Sequence, residues 1–285
     1  MSDTAHRSEP DASGSHRSEP DASGSHRSEP DASGSHRSEP DASGSHRSEP
    51  DASGSHRSEP DASGSHRSEP RLLVWLALRL KGLGEVDDVA AVHGLDPDET
   101  EWLLAELDAA GHCMFREVGG VPKFILTPTG RDDGEAALAA ELDAAGTRET
   151  VTAAYRDFWT LNPKMLLLCT DWQVLSEDHP AADTDGPGDG GRLNDHSDPD
   201  YDAAIINRLE SLHGELSGVL DQLCSVMARY DNYAPRFAEA LTRLQAGELD
   251  YLTKPMMPSY HTVWFELHED LLATLGINRA DEGSV

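Results

Sequence analysis

From residue 71 onward, apolar residues recur at spacings of three and four, which is the period of an amphipathic helix. The segment RLLVWLALRLKG places Leu72, Leu76 and Leu80 on one face and predicts a first helix that ends at Gly82. The segment EVDDVAAVHG predicts a short second helix that ends at Gly94. Glycine is the usual residue at both positions because it adopts the left-handed backbone that terminates many helices.

The third predicted helix starts with a capping sequence. Asp96 is a favoured N-cap residue, Pro97 suits the first helical position, and Glu99 stands where a capping box needs an acid. The helix continues through TEWLLAELDAAG to Gly111. A tight turn that contains glycine joins it to the second helix, and this is the helix-turn-helix arrangement.

Two short apolar-rich runs, HCMFREV and VPKFILT, follow and are separated by Gly119-Gly120, which predicts a β-hairpin. The sequence LTPTGR at 126–131 then opens another helix. The order of helix, helix-turn-helix, hairpin and Leu-Thr-x-x-Gly-Arg exit resembles the winged-helix domain of MarR-type regulators over residues 71–131. That resemblance implies DNA binding, with the helix over 97–110 in the major groove and the hairpin as a wing.

Charge limits how this unit could hold a duplex. The helix over 97–110 carries five acids and no Lys or Arg, so DNA phosphates would repel it. We therefore expect few DNA contacts, and we assign them to Arg116 and Lys123 on the hairpin, Arg131 at its exit and Thr100 in the helix. The alternative is a winged helix that has lost DNA binding and docks its acidic helix on a basic protein.

The helical patterns over residues 132–285 predict an all-helical second domain. Two helical patterns, over 147–162 and 163–175, are separated by a break at Asn162-Pro163, because proline disrupts a helix interior. Residues 176–200 contain eight acids, four glycines and three prolines, which predicts an exposed loop. Its DTDGPGDGG stretch does not fit the ligand positions of an EF-hand, so we expect no calcium site there.

The strongest periodic signal of the chain is an unbroken heptad seam of apolar residues over 205–230. A helix with such a seam must pack against other helices of its own chain or against a second copy. One interpretation is the spine of an intramolecular bundle. We favour the other, a dimerisation helix, because a palindromic DNA site demands a two-fold protein. The predicted dimerisation residues are Ile205, Leu209, Leu212, Leu216, Val219 and Leu223.

The chain begins with a repeated segment. The decapeptide HRSEPDASGS occurs six times from His6 to Ser65, and a half copy, HRSEP, follows at 66–70. Alanine is the one apolar residue of each unit, so the unit cannot offset the roughly 1–2 kcal/mol per residue that ordering a backbone costs. We therefore predict that residues 1–70 are disordered.

The composition excludes several classes of protein. The chain has 53 Asp+Glu against 23 Lys+Arg, a formal net charge of −30, which disfavours a general nucleic-acid coat or a binder of anionic membranes. The three cysteines form no CxxC pair, so we expect neither a disulfide scaffold nor a cysteine-rich zinc module. No apolar run is long enough for a membrane span and no apolar signal segment is visible, so we expect a cytoplasmic protein.

No catalytic or cofactor-binding motif appears in the sequence, and we expect neither a cofactor nor a catalytic site. His261 and His268 lie two turns apart on the last helix, too far for one ion, so we predict packing histidines and no metal there. An effector pocket could lie between bundle helices. Its lining would come from Phe158, Trp159, Trp172 and Trp264, although we favour ordinary core packing for these residues.

We therefore predict a mainly α protein with three parts, namely a disordered tail (1–70), a winged helix-turn-helix domain (71–131) and a helical bundle (132–285). The first functional hypothesis is a dimeric transcription regulator that binds double-stranded DNA and responds to a small-molecule effector. The second is a protein-interaction adaptor built on a winged helix that does not bind DNA. An enzyme is the third and least supported hypothesis.

Overall fold

The structure is a computed structural model, and it describes residues 64–175 and 192–279. Within these ranges the chain is mainly α-helical with one antiparallel two-stranded sheet, which confirms the predicted mainly α class. The elements in chain order are α1 (Pro70–Lys81), α2 (Val86–His93), α3 (Pro97–Ala109), β1 (Cys113–Val118), β2 (Val121–Leu126), α4 (Pro128–Ala145), α5 (Arg148–Gln173), α6 (Pro199–Cys224), a 3-10 helix (Ala228–Asn232), α7 (Tyr233–Gln245), α8 (Asp250–Thr253) and α9 (Tyr260–Leu275).

The predicted start of α3 is confirmed. The side chain of Asp96 accepts a hydrogen bond from the backbone N–H of Glu99 at 3.0 Å, and proline occupies the first turn. On its inner face α3 buries Leu103, Leu104 and Leu107. The cap fixes where the helix begins, and the apolar face fixes which side turns toward the core.

The predicted hairpin is confirmed and has a defined register. Cys113 lies opposite Leu126, and Val118 lies opposite Val121. Gly119 and Gly120 have φ values of 63° and 81°, the backbone that a two-residue hairpin turn requires. Phe124 of β2 also exchanges backbone hydrogen bonds with Gly84 at 2.8 and 3.1 Å. The segment between α1 and α2 therefore lies beside the hairpin.

The predicted break at Asn162-Pro163 is wrong, because α5 continues through this proline. Leu161 on one side of the proline and Met165 and Leu168 on the other are all buried. Proline removes one backbone hydrogen bond from the helix. Burial of apolar side chains both before and after the proline stabilises the continuous helix.

The core consists of two hydrophobic clusters. The first cluster joins α1, α2, α3 and the sheet, and it includes Leu76, Leu104 and Phe124. The second cluster joins α5, α6, α7 and α9. Helix α4 contributes Leu138 to the first cluster and Leu142 to the second, so it connects the two.

The heptad seam of α6 lies inside the second cluster. Each of its six predicted dimerisation residues has between 0% and 4% of its surface exposed, and these residues pack with apolar side chains of α5, α7 and α9. They are Ile205, Leu209, Leu212, Leu216, Val219 and Leu223. The prediction that they form a dimer contact is therefore wrong, because their own chain already covers them. The intramolecular spine is the correct interpretation of the seam.

The prediction of disorder over 1–70 covers residues 1–63, which lie outside the described residues, and it is wrong for residues 64–70. Ser65 is 1% exposed. The backbone of His66 donates to the carbonyl of Val226 and accepts from the N–H of Ala228, both at 2.9 Å. The side chain of Ser68 accepts from Arg229 at 3.2 Å. The last half copy of the repeat is ordered because a segment more than 150 residues away supplies partners for it.

The predicted loop over 176–200 is described only from residue 192, so its calcium-like stretch lies outside the described residues. Its last part is held in place. Leu175 N–H donates to the carbonyl of Arg192 at 2.8 Å, and the Asp198 side chain caps α6. In residues 64–175 and 192–279, no helix is both long enough and apolar enough to cross a membrane.

Candidate functional site

The outer face of the hairpin carries two of the predicted DNA-contacting residues side by side. Arg116 and Lys123 are directly opposite each other in the register of β1 and β2, so their side chains project from the same face. Arg116 is exposed. Lys123 is half-buried, and its Nζ lies 3.3 Å from Glu85 Oε1. The hairpin therefore presents one exposed cation beside a second one that an acid already pairs.

Arg131 lies exposed in the first turn of α4. Thr127, between β2 and α4, fixes this junction, because its hydroxyl donates to the carbonyl of Gly111 at 2.7 Å and accepts from the N–H of Gly130 at 2.9 Å. The next two residues are Asp132 and Asp133. Two acidic residues therefore directly follow Arg131 and reduce the net positive charge around it.

The fourth predicted DNA contact, Thr100, is wrong. This residue is 0% exposed, and its hydroxyl donates to the backbone carbonyl of Asp96 at 2.8 Å. Thr100 lies in the first turn of α3 on the side that faces the core, so it cannot reach a duplex. A polar residue type suggested a contact with DNA, but the position of Thr100 in the helix places it on the buried face.

The outward side of α3 combines acids with an exposed aromatic residue. Asp98, Glu101, Ala105 and Asp108 are exposed, and Trp102 between them has 59% of its surface exposed. Asp98, Glu101, Ala105 and Asp108 follow one another at spacings of three or four residues, and Trp102 is four residues from Asp98 and three from Ala105, so all five lie along one face. We call Asp98, Glu101, Trp102, Ala105 and Asp108 the acid–tryptophan face. The acids were evident from the sequence and the exposure of the tryptophan was not, although Trp102 has acid neighbours at helical spacing.

A groove of about 860 Å³ lies between α1 and α4. Trp75, Leu107 and Ala137 are among its apolar lining residues. Two imidazole–carboxylate pairs also line it, with His112 Nε2 3.2 Å from Asp133 and His66 Nε2 3.1 Å from Glu141. The groove is distinct from the predicted effector pocket between bundle helices.

The aromatic residues proposed for that pocket belong to the core instead. Phe158, Trp172 and Trp264 are buried, and the rings of Phe158 and Trp264 are 4.7 Å apart. Trp159 is half-buried, with its ring 6.0 Å from that of His268. Core packing, which the sequence favoured for these residues, is confirmed for the three buried ones.

Beneath the groove, a buried network of charges surrounds Arg229. Its guanidinium donates to Glu141 at 2.6 Å and to the hydroxyl of Thr274 at 2.8 Å, and it lies 3.6 Å from the carboxylate of Asp270. Asp270 also accepts from the hydroxyl of Tyr233 at 3.0 Å. Burial raises the pKa of Asp270 above its ordinary value. The network satisfies charges that would otherwise be costly to bury.

Further ion pairs connect α1 to α9. Arg79 lies 3.1 Å from Glu269, and Lys81 lies 2.9 Å from Glu266. Both acids are almost fully buried, so the pairs are shielded from solvent on the α9 side. These contacts hold the first cluster, with the hairpin and α3, in a fixed position on the helical bundle.

One of the two histidines of the last helix has a packing role. His268 is buried, with its ring 5.4 Å from that of Phe158. Among the described residues, no group of three or more His, Cys, Asp or Glu side chains is placed to hold a metal ion.

Burial raises the pKa of Cys113 to about 11, so this thiol stays protonated near neutral pH.

Comparison of the chain with protein-family models, with curated proteins and with solved structures gives no match. What the molecule does must therefore be inferred from the charges and exposed surfaces of its own elements. Two of these surfaces are candidates for binding a macromolecule, namely the outer face of the hairpin and the acid–tryptophan face of α3.

Proposed function

We propose that residues 71–131 form a winged helix and that the protein is a transcription regulator which holds duplex DNA through its hairpin. The order α1, α2, α3, β1, β2 is that of a winged helix-turn-helix. The pairing of Gly84 with Phe124 adds a third short strand position next to the hairpin, as expected for a wing supported by the segment between the first two helices.

The observation that carries this proposal is the placement of Arg116 directly opposite Lys123. Two cations on one face of a two-stranded ribbon can contact the phosphates of one backbone, and such contacts position a protein on DNA. Lys123 would exchange its carboxylate partner Glu85 for a phosphate oxygen. The exchange keeps the ammonium paired, so the existing ion pair weakens the contact without preventing it.

The acidic charge of α3 decides the orientation of the complex. Its exposed acids would face the phosphates if α3 entered the major groove, and repulsion makes that arrangement unfavourable. The hairpin therefore contacts the duplex, and α3 points away from it. With two or three phosphate contacts, the slope of log affinity against log salt concentration should be about −2 to −3.

The experiment is a fluorescence anisotropy titration of labelled duplex DNA from the region upstream of the protein's own gene, at about 50 mM salt. We expect binding by the full chain and loss of at least tenfold in affinity in R116A/K123A. The matched control is R156A/K164A, which removes two exposed cations of α5. Absence of binding by the unmodified protein, or equal loss in both variants, would overturn the proposal.

The oligomeric state belongs to the same proposal. A palindromic DNA site requires a homodimer. Because the seam of α6 is buried within its own chain, a different surface must form the contact between the two copies. Size-exclusion chromatography with light scattering, on the protein with and without DNA, measures the molar mass of the protein and of its complex directly. A monomer on DNA would limit recognition to a single half-site.

A second candidate function is a protein-interaction adaptor that does not bind DNA. The specific observation in its favour is the exposure of Trp102 on a helix face that carries acids and no base. If the anisotropy titration shows no DNA binding, the adaptor becomes the favoured function, with the exposed side of α3 around Trp102 as its binding surface.

A further inference from the structure

Helix α3 exposes a large aromatic side chain although its inner face is already well packed. Leu103, Leu104 and Leu107 are buried and hold the helix in one rotational setting. Trp102 consequently points outward, with 59% of its surface exposed. Tryptophan is rare on free surfaces and common at the centres of protein interfaces, where it supplies much of the binding energy.

Three exposed acids of α3 have no ion-pair partner among the described residues. None of Asp98, Glu101 and Asp108 forms an ion pair with another residue in the described part of the chain. Asp108 also lies near the C-terminal end of α3, where the helix dipole disfavours a negative charge, and no basic residue stands in that last turn. The charge of Asp108 therefore destabilises the C-terminal end of α3, and a cation from another molecule would offset it.

The acid–tryptophan face is narrow and long. From Asp98 to Asp108 it extends about 15 Å, given a rise of about 1.5 Å per residue. A stripe of this size fits a short segment of polypeptide lying along the helix. Its negative charge excludes polyanions such as DNA, RNA and anionic lipid surfaces as occupants.

We propose that the acid–tryptophan face is a docking surface for a basic segment of another protein. In this complex an apolar or planar side chain of the partner covers Trp102, and its Lys or Arg side chains pair with Asp98, Glu101 and Asp108. Arginine suits the site best because its guanidinium both binds carboxylates and stacks on an indole ring. The surface is separate from Arg116 and Lys123, so it can be occupied whether or not the hairpin binds DNA.

The test uses the full chain and a synthetic amphipathic peptide of Leu and Arg as the probe, with binding measured by isothermal titration calorimetry. The same peptide with Glu in place of Arg serves as the negative probe. We expect W102A to weaken binding at least tenfold and W102F to retain most of it, because an aromatic ring remains. Trp102 is largely exposed, so neither substitution should lower the melting temperature by more than a few degrees.

Charge reversal separates docking from general attraction between a basic peptide and an acidic protein. E101K/D108K should abolish binding. The matched control E210K/D221K makes the same change of charge at exposed positions of α6 and should alter the affinity less than about threefold. Equal weakening in the two double variants, or unchanged binding by W102A, would overturn the proposal. DNA binding by the same variants is measured separately, so failure here is distinguishable from failure of the hairpin to hold DNA.

Discussion

His66 and Glu141 are 75 residues apart in the chain, and their side chains meet at 3.1 Å. His66 belongs to the last half copy of the repeat, whereas Glu141 lies on α4 and also binds the buried guanidinium of Arg229. The last residues of the repeat therefore belong to the folded part of the chain. Its final five residues contribute the contact of His66 with Glu141, a backbone bridge and a serine hydrogen bond to the folded part of the chain.

The first prediction concerns this junction. A chain that lacks residues 1–69 should have a lower melting temperature than a chain that lacks residues 1–63. The longer deletion removes two backbone hydrogen bonds of His66 and the contact of Ser68 with Arg229, a loss of about 1–3 kcal/mol. That corresponds to roughly 3–10 °C for a domain of this size. Calorimetry on both chains measures the difference, and equal melting temperatures would contradict it.

The second prediction concerns Arg229. Its substitution by alanine leaves Glu141 and Asp270 buried without their cation, so the free energy of unfolding should fall by about 3–5 kcal/mol. Urea denaturation measures the change. Arg243→Ala is the control, because its pair with Glu239 is exposed to solvent and should contribute much less to stability than the buried network of Arg229. A loss at Arg229 no larger than at Arg243 would show that the network is unimportant for stability.

The third prediction concerns the substitution of alanine for glycine at two helical positions, Gly134 and Gly218. A Cβ on Gly134 of α4 would come within 1.7 Å of the Trp75 ring, so Gly134→Ala should destabilise the protein by about 1–3 kcal/mol or more. A Cβ on Gly218 of α6 would meet nothing within 4 Å. Gly218→Ala should therefore stabilise the protein by about 0.5–1 kcal/mol, since alanine favours a helix. Opposite signs in thermal unfolding are the expected result, and a shift of the same sign in both would contradict it.

The fourth prediction concerns pH. Burial, with the nearby charges of Arg229 and Arg236, lowers the pKa of His93 from 6.5 to about 3. Above pH 6.5 the ring is neutral in both the folded and the unfolded chain, so it adds no pH dependence. Below pH 6.5 the unfolded chain takes up a proton that the folded chain does not, and stability falls by up to about 1.4 kcal/mol per pH unit.

His93→Gln removes this titration. Denaturation at pH 7.5 and pH 5 should therefore show a smaller loss of stability on acidification for the variant than for the unmodified chain, by about 1–2 kcal/mol. The comparison uses the difference between the two proteins, so carboxylates that titrate in both cancel. Parallel pH profiles would mean that His93 is protonated in the folded state.

Features that depend on neighbouring residues in the chain could be predicted from the sequence. Asp96, Pro97 and Glu99 specify the start of α3 because a cap is a contact between residues three positions apart. The glycine pair at 119–120 specifies the hairpin for the same reason. The position of Arg116 opposite Lys123 required the structure, because the Val-Pro pair after Gly120 left the register of the hairpin open in the sequence.

Features that depend on distant partners were not predictable. The apolar seam of α6 requires burial, but its spacing is the same whether a second copy or the helices α5 and α9 cover it. The continuity of α5 across Pro163 depends on the bundle that buries both of its halves. The exposure of Trp102 depends on which face of α3 packs into the first cluster. Contacts with α1 and the sheet determine that face.

The anchored pentapeptide HRSEP has a consequence for how this gene can change. Gain or loss of whole ten-residue units would leave the five residues directly before Arg71 unchanged. The copy that touches Glu141 and Arg229 is always the last one, so variation in copy number does not alter these contacts. A change in the number of repeat units would therefore leave the stability that these contacts provide unchanged.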